Sequence, residues 1–189
     1  MPDFSSDIES CLQTLRSGGI ILYPTDTIWG IGCDATDPVA VGKVYALKKR
    51  PEKKSMIVLL ADERDVLKYV SQPDPAIFNF LQSTRKPTTV IYSGAVGLAQ
   101  NLGEDGTIAI RVVKDDFCKQ LIKRFRKPIV STSANISGQE PPAFFDEVQT
   151  AVRQGVDYIV QYRRDEKVPG EPSSIVRFNR DGTLTVIRD

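Results

Sequence analysis

Two short runs carry the residue types best suited to chemistry on an anion. "KKRPEKK", Lys48 to Lys54, holds five basic residues in seven. "PIVSTSANISG", Pro128 to Gly138, passes from an apolar run into serine and threonine hydroxyls, an asparagine and a glycine. Arginine offers a planar fork of donors to an anion and lysine a point charge. Hydroxyls and backbone N–H groups at the end of a strand make a cradle for phosphate or carboxylate. A third run, "LYPTDTIWGIG", Leu22 to Gly32, leaves its apolar start through two threonines and an aspartate. "TIAIR" ends on Arg111, a cation at the end of another predicted strand.

The chain of 189 residues contains no histidine. That excludes Ser-His-Asp and Cys-His nucleophile schemes, the commonest metal ligand and the usual neutral-pH base. Catalysis would have to rest on positioning and electrostatics, or on carboxylate or lysine bases. With 25 basic and 24 acidic residues the net charge is +1, so any binding of polyanions must come from uneven placement of cations. Besides Lys48 to Lys54, "KRFRK", Lys123 to Lys127, holds four in five. Phosphate-binding turns of the P-loop or Rossmann type are missing from the sequence. The three cysteines, Cys11, Cys33 and Cys118, form neither a metal pattern nor a disulfide framework. The polar, acidic N-terminus does not read as a signal peptide, and no apolar run reaches the roughly 18 residues of a membrane span. A cytoplasmic, non-membrane protein is expected.

The elements that must position these residues follow from apolar periodicity and end signals. "SDIESCLQTLRSGG" reads as a helix, with Ser6 and Glu9 at capping-box spacing, and "IILY" as a buried strand. "TDPVAVGKVYALKKR" reads as a helix capped by Asp37, with Pro38 in its first turn. On it Val41, Val44, Tyr45 and Lys48 recur at helical spacing. Strands are predicted at "SMIVLLA", "TTVIY", "TIAIRVV", "PIVST" and "DYIVQY", and helices at "DERDVLKYV", "DPAIFNFLQS", "DDFCKQLIKRF" and "AFFDEVQTAVRQ". "SSIVRFNRDGTLTVIRD" reads as a hairpin turning at Asp181-Gly182. Alternating strands and helices predict an α/β domain over 1–189 with a mixed sheet, flanking helices and a C-terminal β-hairpin. The segments 24–37, 48–55, 131–143 and 163–173 fit no element. Three of them follow predicted strands, where open α/β sheets bind ligands.

Taken together and in order, "GGIILYPTDTIWGIGCDA", "LKKRP", "TSANISG" and "GEPSSIV" resemble the YrdC/Sua5 family of L-threonylcarbamoyladenylate synthases. The resemblance runs from Gly18 to Ile175. It implies a twisted open α/β sheet with a deep positive cleft. It also implies that L-threonine, bicarbonate and ATP, the nucleotide carrying Mg2+, give threonylcarbamoyl-AMP and pyrophosphate for N6-threonylcarbamoyladenosine in tRNA. On the family pattern Lys48 and Arg50 are catalytic, at the phosphates. Arg50, Lys54, Thr89, Ser133, Asn135 and Arg188 serve ATP. Thr25, Thr27, Arg111, Ser131 and Ser173 serve threonine. No protein ligand to a metal is implied.

The chain departs from the pattern in places. Lys49 stands where the family usually has glycine, Trp29 where it has tyrosine, and Val112-Val113 replaces its R-x-P. Two alternatives accompany the enzyme reading. One is a non-catalytic module binding tRNA or double-stranded RNA, which would be strongly salt-dependent. The other is a carbamoyl-transfer paralogue with another acceptor. The resemblance also implies transient contact with the proteins that transfer the product to tRNA.

Overall fold

The computed structural model describes residues 3–51, 55–103, 106–179 and 183–189. Among these residues nine strands form one mixed sheet, in the order β7-β1-β2-β6-β3-β5-β4-β8-β9. They are β1 (Ile21–Tyr23), β2 (Gly30–Gly32), β3 (Ile57–Leu60), β4 (Thr88–Ser93), β5 (Thr107–Val112), β6 (Ile129–Ser133), β7 (Tyr158–Ile159), β8 (Ser174–Phe178) and β9 (Leu184–Arg188). The pairs β1/β7, β3/β5 and β4/β8 are parallel, and the remaining pairs antiparallel. The mixed sheet and the C-terminal hairpin match the sequence expectation; the Asp181-Gly182 turn lies outside the described residues.

Side chains alternate across the strands and feed two apolar cores. Ile21, Tyr23, Leu59 and Ile129 point to one face, where α1 (Ser5–Arg16) and α5 (Asp116–Phe125) cover them with Leu12, Leu15, Phe117 and Leu121. Leu22, Ile31, Val58, Val90, Ile110 and Val130 point to the other, under α2 (Pro38–Lys48). Ile77 of α4 (Ala76–Ser83) and Val66 of the short α3 (Val66–Tyr69) join that second core. The three cysteines are buried and free.

Several local expectations are corrected. The Ser6–Glu9 capping box does not form: α1 starts at Ser5, so Ser6 already lies in its first turn, and Asp3 accepts the Ser5 N–H instead. "AFFDEVQTAVRQ" splits into a 3-10 turn (Phe145–Glu147) and α6 (Thr150–Gln154), because Val148 and Gln149 are extended and Val148 is fully buried. The strand β2 lies inside a segment that the sequence leaves without an element. Its two glycines weaken a strand pattern, but Gly32 is needed there: a Cβ would lie 2.6 Å from the Val130 carbonyl oxygen and 2.7 Å from the Tyr23 ring. Asp37 caps α2 as expected, accepting from the Val39 and Ala40 N–H groups.

Candidate functional site

Residues from the ends and middles of several strands converge on one cleft of about 320 Å³, at the lower end of the roughly 300–1,000 Å³ usual for small-molecule sites. Thr27, Arg50, Arg111, Ser131, Ser133, Ser173 and Arg188 all line it. Residues separated by up to 161 positions in the chain thus meet at one place, three of them arginines.

Sheet register explains the convergence. β1 and β2 form a hairpin whose connection carries "PTDTI", so Thr27 stands at the strand ends. Gly30 pairs with Ser133 across β2/β6, and Ile57 with Ser131 across β3/β6. Arg111 on β5 lies opposite Thr89 on β4, and Thr89 opposite Ile175 on β8. Arg188 on β9 then reaches back, donating from Nε at 3.2 Å and Nη2 at 2.7 Å to the Ser173 carbonyl.

The structure places the other expected site residues behind this lining. Thr25 is buried, and its hydroxyl meets that of Thr27 at 2.9 Å, donates to the Ile28 carbonyl and accepts the Thr27 N–H, so it shapes the loop that presents Thr27. Thr89 is fully buried, with its hydroxyl 2.8 Å from that of Ser173. The Asn135 side chain donates to the Ile136 and Gln139 carbonyls, closing the turn after β6. Lys48 is 1% exposed. Its ammonium donates to the carbonyls of Ser133 at 2.5 Å and Asn135 at 2.6 Å, while its own carbonyl accepts the Ser137 N–H. Helix α2 is thereby fastened to the Ser133–Asn135 turn. Lys54 lies outside the described residues.

Charge in the cleft is unbalanced toward the positive. Arg50 donates to the Ser55 carbonyl at 2.8 Å, and burial pulls its guanidinium below the ordinary value. Arg188 is lowered too, by burial and then by the neighbouring Arg111 charge. Lys48 is lowered to about 8, first by burial and then by Arg50. Arg111 pairs with Asp26, Nη2 to Oδ1 at 3.2 Å. Among the described residues the lining contains no carboxylate, and no three His, Cys, Asp or Glu side chains gather as a metal site. This donor set does not fit a divalent cation held by protein oxygens, which needs carboxylates or an all-oxygen cage.

Sequence reasoning missed Trp29 as a lining residue, and the contacts by which the 163–173 segment reaches the site. Trp29 lines the cleft and packs on Phe145, ring centres 4.8 Å apart, with the Arg164 guanidinium 4.8 Å from the Phe145 centre. Nothing in local spacing reveals that 116-residue link. The 163–173 segment also closes over the "PTDT" loop. Arg163 donates to the Thr25 carbonyl and is itself paired with Asp115. A Cβ on Gly170 would stand 1.6 Å from the Thr27 carbonyl oxygen. Gly170→Ala must therefore push the segment off Thr27. We expect a rise in the threonine KM with an unchanged ATP KM, and a stability loss of about 1–3 kcal/mol, as for other overpacked sites. Equal change in both KM values in steady-state assays would refute this.

A family model described as "Telomere recombination", Sua5/YciO/YrdC, matches residues 13–189. The threonylcarbamoyl-AMP synthase of Idiomarina loihiensis is 37% identical over 166 residues, 84% of this chain and 86% of that protein. That of Pseudoalteromonas translucida is 34% identical over 176 residues, 90% and 92% of the two chains. The crystal structure of P. abyssi Sua5 complexed with L-threonine superposes with a TM-score of 0.84 at 21% identity, a likeness of fold. It covers 97% of this chain, which spans 54% of that longer protein.

Proposed function

The chain belongs to the Sua5/YciO/YrdC family, and from that premise we propose that it makes threonylcarbamoyl-AMP from L-threonine, bicarbonate and ATP, with release of pyrophosphate. The observation that carries this reading is the single cleft in which three arginines and the hydroxyl-rich ends of β1 and β6 converge. The threonine amine joins bicarbonate carbon with loss of water. An oxygen of the resulting carbamate then attacks the α-phosphorus in line, and pyrophosphate leaves.

That chemistry asks little of a general base and much of positioning and charge stabilisation. Arg50 sits where negative charge grows on the phosphate oxygens. Ser133 and the turn closed by Asn135 hold the nucleotide, with Arg188 at the rim and Lys48 fixing the turn from behind. Arg111 takes the threonine carboxylate, and Thr27, Ser131 and Ser173 surround its small polar head. Thr25 and Thr89 hold two of those hydroxyls in place. Magnesium would enter on the phosphates of the nucleotide, since no carboxylate among the described residues lines the cleft. The product serves N6-threonylcarbamoyladenosine formation in tRNA, through contact with the proteins that transfer it.

Incubation with ATP, magnesium, threonine and labelled bicarbonate tests the reading. Label should enter an adenylate, and pyrophosphate should appear only when threonine and bicarbonate are both present. Salt-sensitive RNA binding with no labelled adenylate would sink the enzyme reading in favour of a binding module. Label in an adenylate without threonine would point to a paralogue with another acceptor.

A further inference from the structure

Of the four residues in "PTDT", Asp26 has no part in the reading above. Its side chain is 9% exposed, and that of Arg111 4%. One Asp26 oxygen lies 3.2 Å from Arg111 Nη2, and the other accepts the Lys114 N–H at 3.3 Å. The carboxylate is thus fastened to the backbone just beyond β5, two residues past the arginine's own strand. It bridges the β1–β2 hairpin to the strand end that carries Arg111.

The ion pair is close but incomplete. Among the described residues, Asp26 Oδ1, Arg111 Nη2 and Arg111 Nε are all buried without a hydrogen-bond partner. Buried charged groups with unused donors are costly, and a structure retains them where another group completes the set. Arg111 lines the cleft. A guanidinium held from one side by a fixed carboxylate keeps its remaining donors in one orientation. One held only by its flexible stem does not.

We infer that Asp26 is a positioning residue that fixes the Arg111 guanidinium in the cleft wall, in the one orientation that meets the substrate carboxylate. This rests on the threonine reading of Arg111 given above. Asp26 also balances most of the Arg111 charge, so the subsite selects a carboxylate by donor geometry more than by net charge. The cleft's positive field then stays concentrated on the phosphate side, around Arg50 and Lys48.

The test is a double-mutant cycle read in steady-state kinetics and by calorimetric titration of each ligand. Asp26→Asn keeps the size and the acceptor for the Lys114 N–H and removes only the charge. It should raise the threonine KM about tenfold, a typical coupling for contacting charged residues, leaving the ATP KM and the ATP affinity unchanged. In an Arg111→Ala background the same substitution should add nothing further. Additive effects of the two substitutions, an equal rise in both KM values, or an unchanged threonine KM in Asp26→Asn would each overturn the inference. If Arg111→Ala alone leaves threonine affinity intact, the threonine reading fails and this inference with it. Should Asp26→Asn unfold, Asp26→Glu carries the same cycle: the charge is kept but displaced by a methylene, and a selective rise in threonine KM is again expected.

Discussion

Arg50→Ala should lower turnover about a hundredfold, the loss of roughly 3 kcal/mol that follows removal of one well-placed donor to developing charge. Arg50 lies on the cleft wall and donates to the Ser55 carbonyl, itself beside the cleft. Losing a bond of this kind costs stability on the order of 1 kcal/mol, a shift of about 2–4 °C in melting temperature for a chain of this size. Rate and stability should therefore separate clearly in stopped assays and thermal unfolding run on the same preparation. Arg50→Lys keeps the charge but loses the fork, and should recover only part of the rate. A fully active Arg50→Ala variant would reduce this arginine to a cation at the end of α2.

Lys48→Met should be as damaging by a different route. It takes a donor from the Ser133 carbonyl, which still accepts the Asn135 N–H, and from the buried Asn135 carbonyl, at about 1–3 kcal/mol for a carbonyl left unpaired. It also frees the turn that presents Ser133, and misplacement by about 1 Å can cost a hundredfold in rate. The wild-type pH dependence carries a matching signature. Lys48 in the folded protein is pulled from 10.5 down to about 8, so between those values the unfolded chain binds a proton that the native one has released. Stability from this group therefore rises with pH across that window. Turnover should move the other way, falling above pH about 8 as the charge-assisted bonds to the two carbonyls become neutral ones of roughly half the strength. Lys48→Met should lose both trends. A wild-type rate that is flat from pH 7 to 10 would contradict the assigned role.

How much of this was legible in the sequence depends on the range of the signal. Asp37 and Pro38 announced the start of α2, and the Val41, Val44, Tyr45, Lys48 spacing already sent Lys48 to the buried face, where the structure holds it. What that lysine touches was not legible, since Ser133 lies 85 positions away. Lys49 replaces the family's glycine and does adopt the left-handed backbone, φ 49°, that glycine tolerates best. Thr25 and Thr89 were read as ligand contacts from motif position alone. Their hydroxyls meet those of Thr27, two residues on in the same loop, and of Ser173, which the β4/β8 register brings beside Thr89. The strand β2 was missed because two glycines hide a strand whose need for them comes from Val130 and Tyr23 on its neighbours.

Trp29 is the chain's one tryptophan, and it stands in the wall of the cleft against Phe145. The protein therefore carries a single indole emitter, placed at the site where ligands would bind. Light absorbed beyond the tyrosine band excites this ring alone. Its emission reports the polarity and quenching of one local environment rather than an average over the fold. The indole is 6% exposed, so the empty protein should emit toward the blue, and unfolding should shift it red. Nucleotide and threonine, added in turn, would each be read optically at the cleft without a label, and the Arg50, Lys48 and Asp26 variants retain the same reporter.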